Sequence, residues 1–274
     1  MPSGDAFVVT SPLASRNSED NPTPILIMKA TTKLLLSAAV GIATTFSVRA
    51  NMLFFDFGDS TLMTSGNWNN LVHTNATLTP GPPIANAIDS LGNFTGISLS
   101  ANGFNTGDNT AGTTTPGGAA AIFASTATQD SLFGHTVVFN GQGPLPLATL
   151  SLGGLDGSGN TLYSFTFFAS RTGVSDDRET QYQVVGSTSG YSLLDAANNT
   201  SNVAIVSGIV PNPDGSLLVN ISPGPNNNNS SGFFYLGAME ITISEVPEPS
   251  SLALAALGGL AAVVWGRRLR GNRS

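Results

Sequence analysis

The chain runs to 274 residues without a cysteine and carries a formal net charge of −7, so its fold is held by burial, hydrogen bonds or ions and not by disulfides. Between residues 51 and 245 only Arg171 and Arg178 are basic, against thirteen acidic side chains, a net −11. A surface of that sign repels phosphate backbones, argues against nucleic acid as a partner, and suits calcium or neutral sugars better.

Residues 1–27 contain Pro2, Pro12, Pro22 and Pro24 and no apolar periodicity. They read as unstructured, either a start codon placed too far upstream or a leader of unassigned role. At Met28 the pattern changes. Lys29 and Lys33 precede the apolar stretch 34–46, and Val48-Arg49-Ala50 is a small-residue cleavage site. The segment 28–50 is therefore expected to be a secretory signal peptide cut between Ala50 and Asn51. One domain of ordinary size, 51–245, follows.

A first strand is expected over 53–57, running into Phe57-Gly58-Asp59-Ser60-Thr61-Leu62. That string resembles the nucleophile block of GDSL or SGNH hydrolases, which implies a serine at a strand end attacking an ester. The same family supplies its base from a D-x-x-H block, and here the only histidines, His73 and His135, lack an aspartate three residues before them. The expectation is a strand ending in a glycine turn with Asp59 and Ser60 bonding the backbone, and no catalytic residue; an esterase using Ser60 is the alternative. Trp68, Asn69 and Asn70 offer an indole face and amides for a glycan, or ordinary packing. His73 and His135 are expected as polar loop or strand-edge residues, since a transition metal would need further nitrogen or sulfur ligands nearby.

Alternating apolar positions then predict strands at Ile97 and Leu99, Val137 and Phe139, Leu150 and Leu152, and Tyr163, Phe165 and Phe167. Tyr182 and Val184, then Leu217, Val219 and Ile221, make two more, and a last, longest strand runs over 233–243. Long polar loops are expected at 102–118 and 223–232. Glycine-rich turns at 156–160 and at Pro213-Asp214-Gly215 are expected to close antiparallel hairpins. Short strands with such turns and little helix give an all-β chain, a β-sandwich of jelly-roll type, and no internal repeat is visible.

The order 150–155, 161–171, 178–184 and 233–241 resembles galactose-binding-like or malectin-like jelly rolls. The resemblance implies that the first two segments are neighbouring strands, that the last strand returns beside the first, and that the domain binds or scaffolds. Asp156, Ser158 and Asn160 have the spacing of a calcium loop, but Phe167 stands where its last glutamate belongs, which excludes an EF-hand. Asp176-Asp177-Arg178-Glu179 reads as a structural calcium site or as a surface turn in which Arg178 offsets its neighbours. No other cofactor is implied. One of Arg171 and Arg178 is expected to pair with Asp176, Asp177 or Glu179 and fix the loop joining their strands, with a ligand role as the alternative.

The tail, 246–274, has three parts. Val246-Pro247-Glu248-Pro249 holds the chain extended, 250–266 is apolar enough to enter lipid, and 267–274 carries Arg267, Arg268, Arg270 and Arg273, which stay in the cytoplasm. The tail resembles the PEP-CTERM sorting signal. That implies export, transient insertion in the inner membrane and cutting near Pro-Glu-Pro by an exosortase. The expected protein is an exported cell-surface or extracellular-matrix module, non-catalytic, structural or associated with exopolysaccharide.

Overall fold

The computed structural model describes residues 51–73 and 81–246, together with Gly259. Two compact units divide the chain, Met1–Ser47 and Val48–Ser274. The expected leader 1–27, the signal peptide 28–50 and the tail beyond Val246, Gly259 apart, lie outside the described residues.

In chain order the strands are β1 (Asn51–Asp59), β2 (Trp68–His73), β3 (Ser98–Asn102), β4 (Leu132–Gly134), β5 (Ala148–Gly153) and β6 (Thr161–Phe168). They continue as β7 (Glu179–Val185), β8 (Ser189–Asp195), β9 (Ala204–Ile209), β10 (Leu217–Pro223), β11 (Phe234–Leu236) and β12 (Ala238–Glu245). One five-stranded sheet has the order β2-β1-β12-β6-β9, the other β3-β5-β10-β7-β8, and β11 pairs with β4 in a small ribbon. Among the strand pairs of the described residues only β1 with β2 is parallel. The chain is a sandwich, nearly all β, as composition and alternation indicate.

The period of two builds the core. In β6 Tyr163, Phe165 and Phe167 are buried while Leu162, Ser164 and Thr166 are half-buried, and in β7 Tyr182 and Val184 alternate with glutamines in the same way. Phe167 of one sheet stacks on Tyr182 of the other, centroids 4.6 Å apart and planes 8° apart. Full burial of such a ring contributes ~2–3 kcal/mol. The outer face of the first sheet is covered as well: Phe54 and Trp68 pack with Ala120, Phe123 and Ala127 from the 3-10 turn Gly118–Ile122 and the single α turn Ser125–Thr128.

Several expectations are corrected. The turns 156–160 and 213–215 do not close hairpins, because β5 pairs with β3 and β10 while β6 pairs with β12 and β9, and β9 and β10 likewise lie in different sheets. The turn chemistry is present, with Gly159 at φ +85° and Gly215 at φ +76°, but it sends the chain across the sandwich so that consecutive strands bury their apolar faces from opposite sides. Among the described residues the hairpin between consecutive strands is β7–β8, closed by Gly186 N–H to the Thr188 carbonyl at 2.9 Å. The run 233–243 is two strands: Gly237 donates to the Phe168 carbonyl at 3.0 Å and separates β11 in the ribbon from β12 in the first sheet. Val137 and Phe139 form no strand; Val138 between them is 68% exposed, and the strand lies earlier, at β4. β12 does return beside β1, with Leu53 opposite Ile241.

Candidate functional site: an aromatic cavity holding both arginines

The cluster formed by Phe133, Ala169, Ala196 and Tyr235, with Phe139 and Phe233 packed on it, is separate from the main core. Its four aromatic rings line a cavity of about 350 Å³ together with Asn105, Asp108, Asn109, Asn140, Arg171 and Arg178. Three segments converge through β4 and β11. Phe133 on β4 lies opposite Tyr235 on β11. The loop after β3 is laced to β4 and its flank by Asn105 N–H to the Phe133 carbonyl, 2.7 Å, and by paired Asn109 and Ser131 backbone bonds of 2.9 and 2.8 Å.

His135 locks that loop in place. It is fully buried, one nitrogen, Nδ1, lies 2.6 Å from the Val137 carbonyl, and Nε2 lies 2.9 Å from Asn105 Nδ2. Because the Asn105 Oδ1 already accepts from Gly107 N–H at 2.8 Å, its amide nitrogen faces the ring, which assigns the proton of His135 to Nδ1. The expectation of a loop or strand-edge residue is corrected for His135, which is fully buried, whereas His73 ends β2, the edge strand of its sheet, although only 5% of it is exposed.

The rings meet edge to face. Phe139 and Phe233 are 4.9 Å apart at 89°, and Phe133 stands 5.6 Å from Phe233 at 75°, the geometry that the ring quadrupole favours. Arg178 lies over Phe233 and Tyr235, 5.3 and 5.9 Å from their centroids. It also donates from Nε to Asp176 Oδ1 at 3.1 Å and from Nη1 to the Tyr235 hydroxyl. Burial pushes the Tyr235 phenol up against the opposing pull of Arg178, so it stays neutral. Asp176 is pushed up by burial, but bonds from Asn229 and Arg178 hold it below the ordinary carboxylate value. Arg171 is held by its backbone, N–H to the Ala196 carbonyl at 2.7 Å and carbonyl from Asn198 N–H at 2.8 Å. Aromatic rings, amides and guanidinium groups thus surround one hollow, a grouping whose chemistry suits a polar ring with an apolar face.

Of the residues singled out by sequence, Arg171 and Arg178 line the cavity, while Trp68, Asn69 and Asn70 lie elsewhere. Trp68 is half-buried with its ring 5.1 Å from Phe54. Asn69 donates from its amide to the Phe54 and Ile88 carbonyls, 3.0 and 2.8 Å, and accepts from Ile88 N–H at 2.8 Å. Asn70 is bonded to Thr64 through both ends of its amide. None of the three lines the cavity. Of the pair expected to hold calcium, Asp176 spends one oxygen on Arg178 and the other on Asn229, while Asp177 accepts from Glu179 N–H at 2.9 Å. No group of three or more His, Asp or Glu side chains able to hold a metal ion occurs among the described residues.

Ser60 occupies the turn after β1, where Asp59 Oδ1 accepts from the backbone and hydroxyl of Thr61, both 2.7 Å. Gly58 precedes it because Asp130 sits on the strand: Asp59 N–H donates to Asp130 Oδ2 at 2.6 Å, and a Cβ at residue 58 would lie 2.1 Å from that oxygen. Burial, with Asp56, Asp108 and Asp59 nearby, pushes Asp130 up to about 7; burial, against bonds from Thr64, pushes Asp56 to about 6. His73 stands opposite Asp59 in the β1–β2 register, and its Nδ1 is 2.6 Å from Asp108 Oδ1. The fold thus brings a histidine–carboxylate pair beside the Ser60 turn, which no sequence spacing reveals. No hydrogen bond joins Ser60 to it among the described residues, and His73 Nε2 is buried without a partner.

Comparison with known proteins adds one finding on the tail. The PEP-CTERM protein-sorting motif matches residues 245–268, a span covering Val246, Pro247, Glu248, Pro249, Arg267 and Arg268. No curated protein and no solved structure matches the chain, so the resemblance to galactose-binding-like or malectin-like jelly rolls gains no support. No helix among the described residues is long and apolar enough to cross a membrane; the apolar segment 250–266 lies outside them, Gly259 apart.

Proposed function

We propose that this protein is a non-catalytic, glycan-associated module of the cell surface or extracellular matrix, and that the aromatic cavity is its saccharide site. The PEP-CTERM motif supports an exported protein sorted by an exosortase, with transient anchoring through the segment 250–266 as part of the proposal. The observation that carries the saccharide reading is the convergence of Phe133, Phe139, Phe233 and Tyr235 with both arginines of the domain around one hollow. A pyranose ring has a C–H face for an aromatic platform and hydroxyls for amides and guanidinium groups, and 350 Å³ lies at the small end of ligand sites, ~300–1,000 Å³.

Retention of the full chain on a panel of immobilised polysaccharides tests the reading. Binding to at least one polymer is expected, lost in Phe233→Ala and kept in Trp68→Ala. A panel that retains nothing, or a Phe233→Ala variant that binds like the parent, sinks it.

A further inference from the structure

Resting on that reading, we propose that the saccharide carries an oxyanion, a carboxylate or a sulfate, and that Arg171 is the residue that selects it. The two arginines of the cavity are not equivalent. Arg178 is already engaged by Asp176, by the Tyr235 hydroxyl and by the Phe233 ring, so it is a structural cation that shapes the wall. Arg171 lines the same cavity, yet its guanidinium makes no hydrogen bond or ion pair among the described residues, although its backbone is bonded on both sides.

Thirteen acidic side chains are available between residues 51 and 245 to neutralise two basic ones. The carboxylate that shares the cavity, Asp108, is bonded instead by His73 Nδ1 at 2.6 Å. An unpaired planar fork of five N–H donors, fixed at its Cα and set beside aromatic rings, matches two oxygens of a carboxylate or sulfate on a ring stacked against those rings. A neutral sugar would leave that fork with hydroxyls alone. Bulk charge cannot imitate the effect, because the net −11 of the domain repels anionic polymers.

The test is affinity electrophoresis of the full chain in mild detergent through polygalacturonate, dextran sulfate and unmodified dextran. At least tenfold tighter retention by one anionic polymer than by dextran is expected, and the polymer preferred identifies the oxyanion. Arg171→Gln should lose at least tenfold on that polymer with an unchanged melting temperature, since the guanidinium holds nothing in the fold, and Arg171→Lys should recover part of the loss. Equal retention by dextran, or an Arg171→Gln variant that binds the anionic polymer like the parent, overturns the oxyanion while the saccharide site stands. Retention by none of the three polymers removes both readings.

Discussion

The turn after β1 and the aromatic cavity differ in how their polar atoms are used. At the turn, Gly58, Asp59 and Ser60 look reactive as a string, yet Asp59 is bonded to Thr61, Asp130 Oδ2 to the strand backbone and the neighbouring His73 Nδ1 to Asp108, while Asp130 Oδ1 and His73 Nε2 are buried without a partner. At the cavity, ordinary residues from segments more than a hundred positions apart, such as Asn105 and Phe233, meet around a hollow in which the Arg171 guanidinium makes no hydrogen bond or ion pair among the described residues. Access after folding, more than resemblance of a short string, separates the two: the unpartnered atoms of the turn are buried, whereas Arg171 lines a hollow.

The largest expected effect breaks the network by titration. A carboxylate whose value rises from 3.8 to about 7, as at Asp130, or to about 6, as at Asp56, holds its proton more tightly folded than unfolded. Its contribution is whole below about pH 4 and is lost as pH climbs through the folded value. Urea unfolding should therefore show stability falling between pH 4 and 7, each of the two groups adding up to about 1.4 kcal/mol per unit while it titrates, and Asp130→Asn should remove its share of the slope. Asp59, Asp156 and Asp214, lowered by hydrogen bonds to their own turns, act in the opposite sense only below about pH 3.8. A flat profile over that range would remove the buried-acid account of this turn.

Next comes Gly58→Ala. With Asp130 Oδ2 only 2.1 Å from the new Cβ, overpacking should cost ~3 kcal/mol, read from the urea midpoint, while saccharide binding at the cavity persists in the folded fraction. The smallest effect is Ser60→Ala, expected within about 0.5 kcal/mol of the parent. The parent should form no adduct at Ser60 with a fluorophosphonate; labelling there would revive the esterase and erase the contrast between the two regions.

Sequence reasoning succeeded where one face of a strand is buried and the other is wet. β6, β7 and β10 were legible for that reason, and so was the sandwich class. It missed β4, whose three residues are all buried and show no alternation, and β8, which is largely exposed. β2 carries two asparagines whose amides replace apolar packing, and β9 has Gly208 in its interior. Pairing partners were out of reach, since a turn such as 156–160 has the same residues whether it closes a hairpin or crosses between sheets. The cavity was half visible: Arg171 and Arg178 stand out as the domain's only cations. Phe139 and Phe233 read as strand positions and Phe133 is not singled out, because what unites them is the β4–β11 ribbon, a contact between residues a hundred positions apart.

The placement of β12 has a mechanical consequence. This strand runs directly into the sorting motif, and it lies inside its sheet with β1 on one flank and β6 on the other. A pull applied at Glu245 along the axis of β12 would therefore load two ladders of backbone bonds lengthwise and at once, instead of peeling a rim strand one bond at a time.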